Sequence, residues 1–152
     1  MNEKRDQRID IRPELKKRLD VYEKLSFAEQ FAMYMGKVQF VELGLKGVLA
    51  EKFGYDFDKM ERWTLGTVRR KLEEEKIRPD FLILLKSVVK ARNFIAHDIL
   101  AAEAMIGSLL GDNKFTKNHR ELSKAVFELE QLILHFDLNQ EHDAWMPLED
   151  EQ

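Results

Sequence analysis

A chain of 152 residues that is 44% hydrophobic and 10% aromatic can bury one real core, and its length fits a single domain. The net charge of −3 excludes a globally basic nucleic-acid-binding surface, so any such site must be local. Cysteine is absent, which removes disulfides, thiolate metal sites and cysteine nucleophiles together.

The opening MNEKRDQRIDIRPEL has no apolar core of a signal sequence, and no stretch approaches eighteen uninterrupted apolar residues. The expectation is a soluble cytoplasmic protein with no membrane partner. With 35% charged residues, 7 glycines and 3 prolines, the composition favours long helices. It predicts an all-α, up-and-down bundle of four to five helices over residues 1–140, with residues 1–12 flexible. Residues 141–152 hold five acidic and no basic residues and read as a solvated tail.

A first helix starts at Pro13, with Leu15, Leu19 and Tyr22 on one stripe. SFAE at Ser26 is a capping box, and the second helix it opens ends at Gly54. Within it Met33, Met35, Val38, Phe40, Val41 and Leu45 read as core and dimer surface. Gly36, Gly44 and Gly47 each weaken a helix by about 1 kcal/mol relative to alanine, for which close packing against another helix can compensate. Residues 54–63 read as a connection with about one helical turn. Thr64 caps a short third helix that IRPD breaks before Pro79. A fourth helix runs from Pro79 toward Gly107 or Gly111. After a GDNKFTKN loop, Leu122, Val126, Leu129, Ile133 and Phe136 mark a fifth over 117–137.

The fourth helix carries KARNFIAHDIL. At about 100° per residue, Lys86, Lys90, Asn93 and His97 fall on one polar stripe about 60° wide, while the other positions are mostly apolar. That profile predicts a helix central to the bundle. Arg92 lies about 140° from His97 on the same wheel. Two readings of Arg92 stand: a salt bridge, for instance to Glu42 or Glu103, or a guanidinium sweeping into a polar groove. His97 is either a satisfied core histidine or a general base.

RNFIAH resembles the arginine–asparagine–x–x–x–histidine motif of the HEPN superfamily, and TLG at Thr64–Gly66 is similar to helix openings in several HEPN groups. The resemblance covers roughly residues 27–137, with only the six-residue motif specific. It implies a metal-independent endoribonuclease without cofactor, acting as a homodimer with motif helices facing across a basic cleft, often as a toxin or in phage defence. His97 would then serve as general acid or base at an RNA 2′-hydroxyl, Arg92 would bind the scissile phosphate, and Asn93 would orient one of them. Lys86, Lys90, Arg69, Arg70 and Lys71 are the local basic contributors to RNA binding. An antitoxin or nucleotidyltransferase partner is implied by some branches. Those paired with a nucleotidyltransferase carry a tyrosine two residues after the histidine, where this chain has Ile99. The alternative is a noncatalytic module of the same fold that binds nucleotide, RNA or protein.

His135, Asp137 and His142 match no established metal-ligand spacing. The run RRKLEEEK, residues 69–76, sets opposite charges three and four apart, as a solvated helix face does.

Overall fold

The computed structural model describes residues 9–99 and 111–149, without the side chains of 98–99 and 111–117. All regular structure among them is helical: α1 (Arg12–Glu23), α2 (Phe27–Phe53), a 3-10 turn (Phe57–Met60), α3 (Leu65–Glu74), α4 (Pro79–Phe94) continued by a π-helical turn (Ile95–Ile99), and α5 (Gly111–Glu141). No described helix is long and apolar enough to cross a membrane.

Local chemistry sets most of these ends. Pro13 occupies the first turn of α1. At α2 the Glu29 amide donates to Ser26 Oγ at 3.2 Å and the Ser26 amide to Glu29 Oε1 at 3.1 Å, which closes the capping box. Gly54 ends α2 at φ 71°, a left-handed conformation that costs glycine little. Thr64 Oγ1 accepts from the Thr67 amide at 3.3 Å to open α3.

α5 is the spine: α1, α2 and α4 all pack on it, while α3 packs on α2 and α4. Its Leu122, Val126, Leu129 and Leu132 meet Tyr34, Val38, Leu45 and Leu49 of α2 and Phe81, Leu85 and Val88 of α4 in one buried cluster. Gly44 sits where α2 meets α5, and a Cβ there would lie 3.0 Å from Phe136 Cζ. Close packing thus accounts for Gly44. A Cβ at Gly36 or Gly47 would meet nothing within 4 Å, so no contact among the described residues accounts for those two.

Three expectations are corrected. GDNKFTKN is helical from Gly111, because glycine, aspartate and asparagine suit a helix N-terminus as well as a loop. Residues 141–149 are not a solvated tail: Trp145, 2% exposed, stands edge-on to Phe81 and Phe136, with centroids at 5.1 and 5.2 Å. Its carbonyl accepts from the Arg78 amide at 2.9 Å, and its indole N–H donates to Gln140 Oε1 at 2.7 Å. The acidic residues around it mask one strong apolar anchor, and Asp143 pairs with Lys52 at 2.5 Å. α4 is not enclosed all round either, since Ile83 is 71% exposed and Phe94 is also exposed. The expected ends of the fourth helix at Gly107 or Gly111, and Glu103, lie outside the described stretch of α4.

Candidate functional site

α4 begins where Arg78 and Pro79 leave the preceding turn. Arg78 donates to both carboxylate oxygens of Asp80 at 2.7 Å, and the Phe81 amide also donates to Asp80. Phe81, Leu85 and Val88 anchor the helix in the core, and Ile95 continues that buried line. The Ile95 amide is shared between the Ala91 and Arg92 carbonyls, and from there the helix widens into the π turn that carries His97.

The widening changes the angular relation of the motif residues. A π turn closes on the fifth residue rather than the fourth, so each residue in it advances by less than the about 100° of an α-helix. The about 140° between Arg92 and His97 on a regular wheel is therefore an overestimate. Widened turns of this kind are frequent at functional sites.

Arg92 is half-buried and faces α2, where it lines a groove of about 320 Å³ with Gln39, Glu42 and Lys46. Its Nη1 donates to Asn93 Oδ1 at 3.2 Å. Glu42 is 3.7 Å from the buried Lys46 ammonium, which holds both charges at the groove floor. Near Arg92 lies Tyr34, fully buried, whose hydroxyl has no hydrogen-bond partner among the described residues. Burial pushes the Tyr34 phenol upward and the Glu128 carboxylate adds to this, while the Arg92 charge pulls the other way.

Lys86, Lys90, Asn93 and His97 are exposed. Their polarity in an apolar helix is thus met by solvent. Lys90 borders a second groove, of about 480 Å³, with Ser87, Phe94, Glu121, Lys124 and Glu128. Ser87 donates to Glu128 Oε2 at 3.0 Å. The structure brings Arg92 together with Asn93 and with the α2 groove, and it places His97 on the open side rather than in that groove. The proposed Arg92–Glu42 ion pair is absent among the described contacts, since the Glu42 partner is Lys46.

On α3 the basic residues engage their own helix. Arg69 Nη1 is 3.0 Å from Glu73 Oε2, Arg70 Nη2 is 3.5 Å from Thr67 Oγ1, and Lys71 Nζ is 3.3 Å from Glu74 Oε2. His135 and Asp137 diverge: His135 faces Arg78 and Asp80, whereas Asp137 lies 3.5 Å from Arg18. Burial pushes the His135 imidazole down, and the nearby Asp80 charge offsets part of the shift.

A second polar cluster escaped the sequence reading. Glu130 of α5 is fully buried and accepts from the Tyr22 hydroxyl at 2.8 Å, from Lys37, and from Arg18 Nη1 at 3.5 Å. Lys37 also lies 5.1 Å from the Tyr22 ring centroid. The available signal was its register, four residues after Val126 and three before Ile133 on the apolar stripe. Tyr34, equally unforeseen, stands at helical spacing from Val38, so its register offered only a core assignment.

No protein-family model, curated protein or solved structure matches the chain. Among the described residues the protein is all-α with five α-helices, a widened turn at the end of α4, and two grooves that α4 helps to line.

Proposed function

We propose that the chain is a HEPN-like up-and-down bundle and a metal-independent endoribonuclease that works as a homodimer. The observation that supports this reading best is the π turn, which begins three residues after Arg92 and carries His97 on an exposed surface. His97 would take the proton from an RNA 2′-hydroxyl as its oxygen attacks the adjacent phosphorus. The 5′-oxygen leaves taking a proton from water, and a 2′,3′-cyclic phosphate remains. Arg92, braced by Asn93, would meet the charge that builds on the phosphate oxygens. Lys86 and Lys90, exposed on the same helix, supply phosphate contacts. A role as a toxin or phage-defence component in the cytoplasm, with an antitoxin or nucleotidyltransferase partner, belongs to the same proposal. Ile99 in place of a tyrosine argues against control by nucleotide transfer at that position.

A second reading, a noncatalytic module that binds nucleotide, RNA or protein, is favoured by the α2 groove, which Arg92 lines without His97. Incubation with single-stranded and structured RNA in excess chelator separates the two. The nuclease reading expects cyclic-phosphate ends and a loss of about 100-fold or more in His97→Ala and Arg92→Ala, with far-UV circular dichroism unchanged. Wild type and His97→Ala behaving alike would remove that reading, and RNA retention without cutting would leave the binding module.

A further inference from the structure

The outer face of α2 has no partner inside the described chain. Phe40 is 75% exposed and Leu43 51% exposed, and beside them Gly36 and Gly47 have open space where a Cβ would stand. These four residues fall within about 60° on the helix, so they form one uncharged stripe. Glycine in a helix interior costs about 1 kcal/mol relative to alanine, and two on one open face point to a close backbone approach from outside.

The stripe is symmetric along the helix. Gly36 and Gly47 are equidistant from the midpoint between Val41 and Glu42, and so are Phe40 and Leu43. A two-fold interface uses one patch on both subunits and needs that patch to complement itself. We propose that α2 pairs antiparallel with α2 of a second copy about this midpoint, Gly36 opposite Gly47 and Phe40 opposite Leu43. Helical side chains lean toward the N-terminus. Each Phe40 ring therefore leans toward its own Gly36 and lands where the other copy offers Gly47, with no side chain in the way.

Charge on the flank fits the same arrangement. A two-fold axis lying between antiparallel helices keeps one flank of both copies on one side of the pair. The Arg92 groove, spanning Met35 to Lys46 and centred near the midpoint, thus meets its own copy. Each groove holds Glu42 with the cations Lys46 and Arg92, so the pairing makes a Glu42 from either copy available to the cations of both. The uncharged stripe alone falls short of the about 800 Å² per partner of a standard interface, and this flank extends it. Residues 1–8, MNEKRDQR, hold one apolar residue, Met1, and do not match the stripe, whereas a second copy does.

The pairing rests on the α2 face and stands without the nuclease reading, but it deepens that reading by naming the face through which two Arg92 residues would share one groove. The chain has no cysteine, so crosslinks can be placed without background. Gly36→Cys and Gly47→Cys, made with tags of different length, are mixed and mildly oxidised. The mixture is expected to give the crosslinked heterodimer, and neither variant alone a comparable homodimer, because the two positions lie about 16 Å apart along one helix. Sedimentation should show a wild-type dimer at micromolar concentration and a folded monomer for Phe40→Glu. Equal or faster homodimer crosslinking would overturn the antiparallel pairing. A monomeric wild type would overturn the interface altogether. RNA cleavage lost in His97→Ala but kept by a dimer insensitive to Phe40→Glu would sink this inference while sparing the nuclease.

Discussion

Replacing Trp145 with alanine tests whether the acidic C-terminal segment belongs to the fold. A nearly fully buried tryptophan removes about 200 Å² from water, worth about 5 kcal/mol at about 25 cal/mol per Å². Measured aromatic-to-alanine losses in cores run about 3–5 kcal/mol, and the two edge-on contacts with Phe81 and Phe136 place this site in that range. The Arg78 amide keeps its bond, because the acceptor is a backbone carbonyl. Against a total stability of about 5–15 kcal/mol the loss is large. A domain of this size loses about 2–4 °C in Tm per kcal/mol, so a fall of about 10 °C is expected. Urea unfolding followed by far-UV circular dichroism measures the free energy, and truncation after Glu141 should cost at least as much. A loss below about 1 kcal/mol in both would refute the packing argument and restore the solvated tail.

Glu130→Ala should cost about 3 kcal/mol, because it leaves Lys37 and Arg18, both mostly withdrawn from water, facing an empty site. The Arg69–Glu73 pair, whose carboxylate is exposed where Glu130 is fully buried, is the control: Glu73→Ala should cost under about 0.5 kcal/mol, and similar losses at both sites would contradict the contrast. For His135, burial holds the folded imidazole below the unfolded value of 6.5, so the unfolded chain binds the proton more readily just under that pH. Stability is expected to be full above pH 6.5 and to fall as the pH drops through the lowered value. His135→Gln should flatten that slope in urea titrations at stepped pH. Asp80 acts in the same sense at lower pH: burial opposes its charge, but the bonds from Arg78 and the Phe81 amide outweigh this and hold the carboxyl below its usual range.

Residues that act on their own backbone were legible in the chain. Ser26 and Glu29, Thr64, Pro13, Pro79 and Gly54 each set a helix end through contacts within a few residues, so reading them needs no knowledge of the fold. The apolar repeat of α5 likewise fixed which face would be buried. GDNKFTKN was misread because its residues serve helix starts and loops alike.

The candidate site was only half legible. The order along the chain pointed to one helix with Asn93 and His97 on one stripe and Arg92 off it, and Asn93 and His97 are both exposed. The angle between Arg92 and His97 could not be read, since a wheel assumes one constant step and the helix widens where Ile95 stays in the core. Nor could the side from which α2 meets Arg92, or the proximity of Tyr34, which depend on how three helices share one core.

By itself the sequence determined an all-α chain, most of its helix ends and the residue types of the motif, because propensity, capping and periodicity act over a few residues. Tertiary structure alone decided that Trp145 closes the core, that Glu130 is buried among cations, and that Arg92 lines the α2 groove while the exposed His97 does not. Each of these depends on contacts between residues far apart in the chain, whose free energy appears only when the helices are packed.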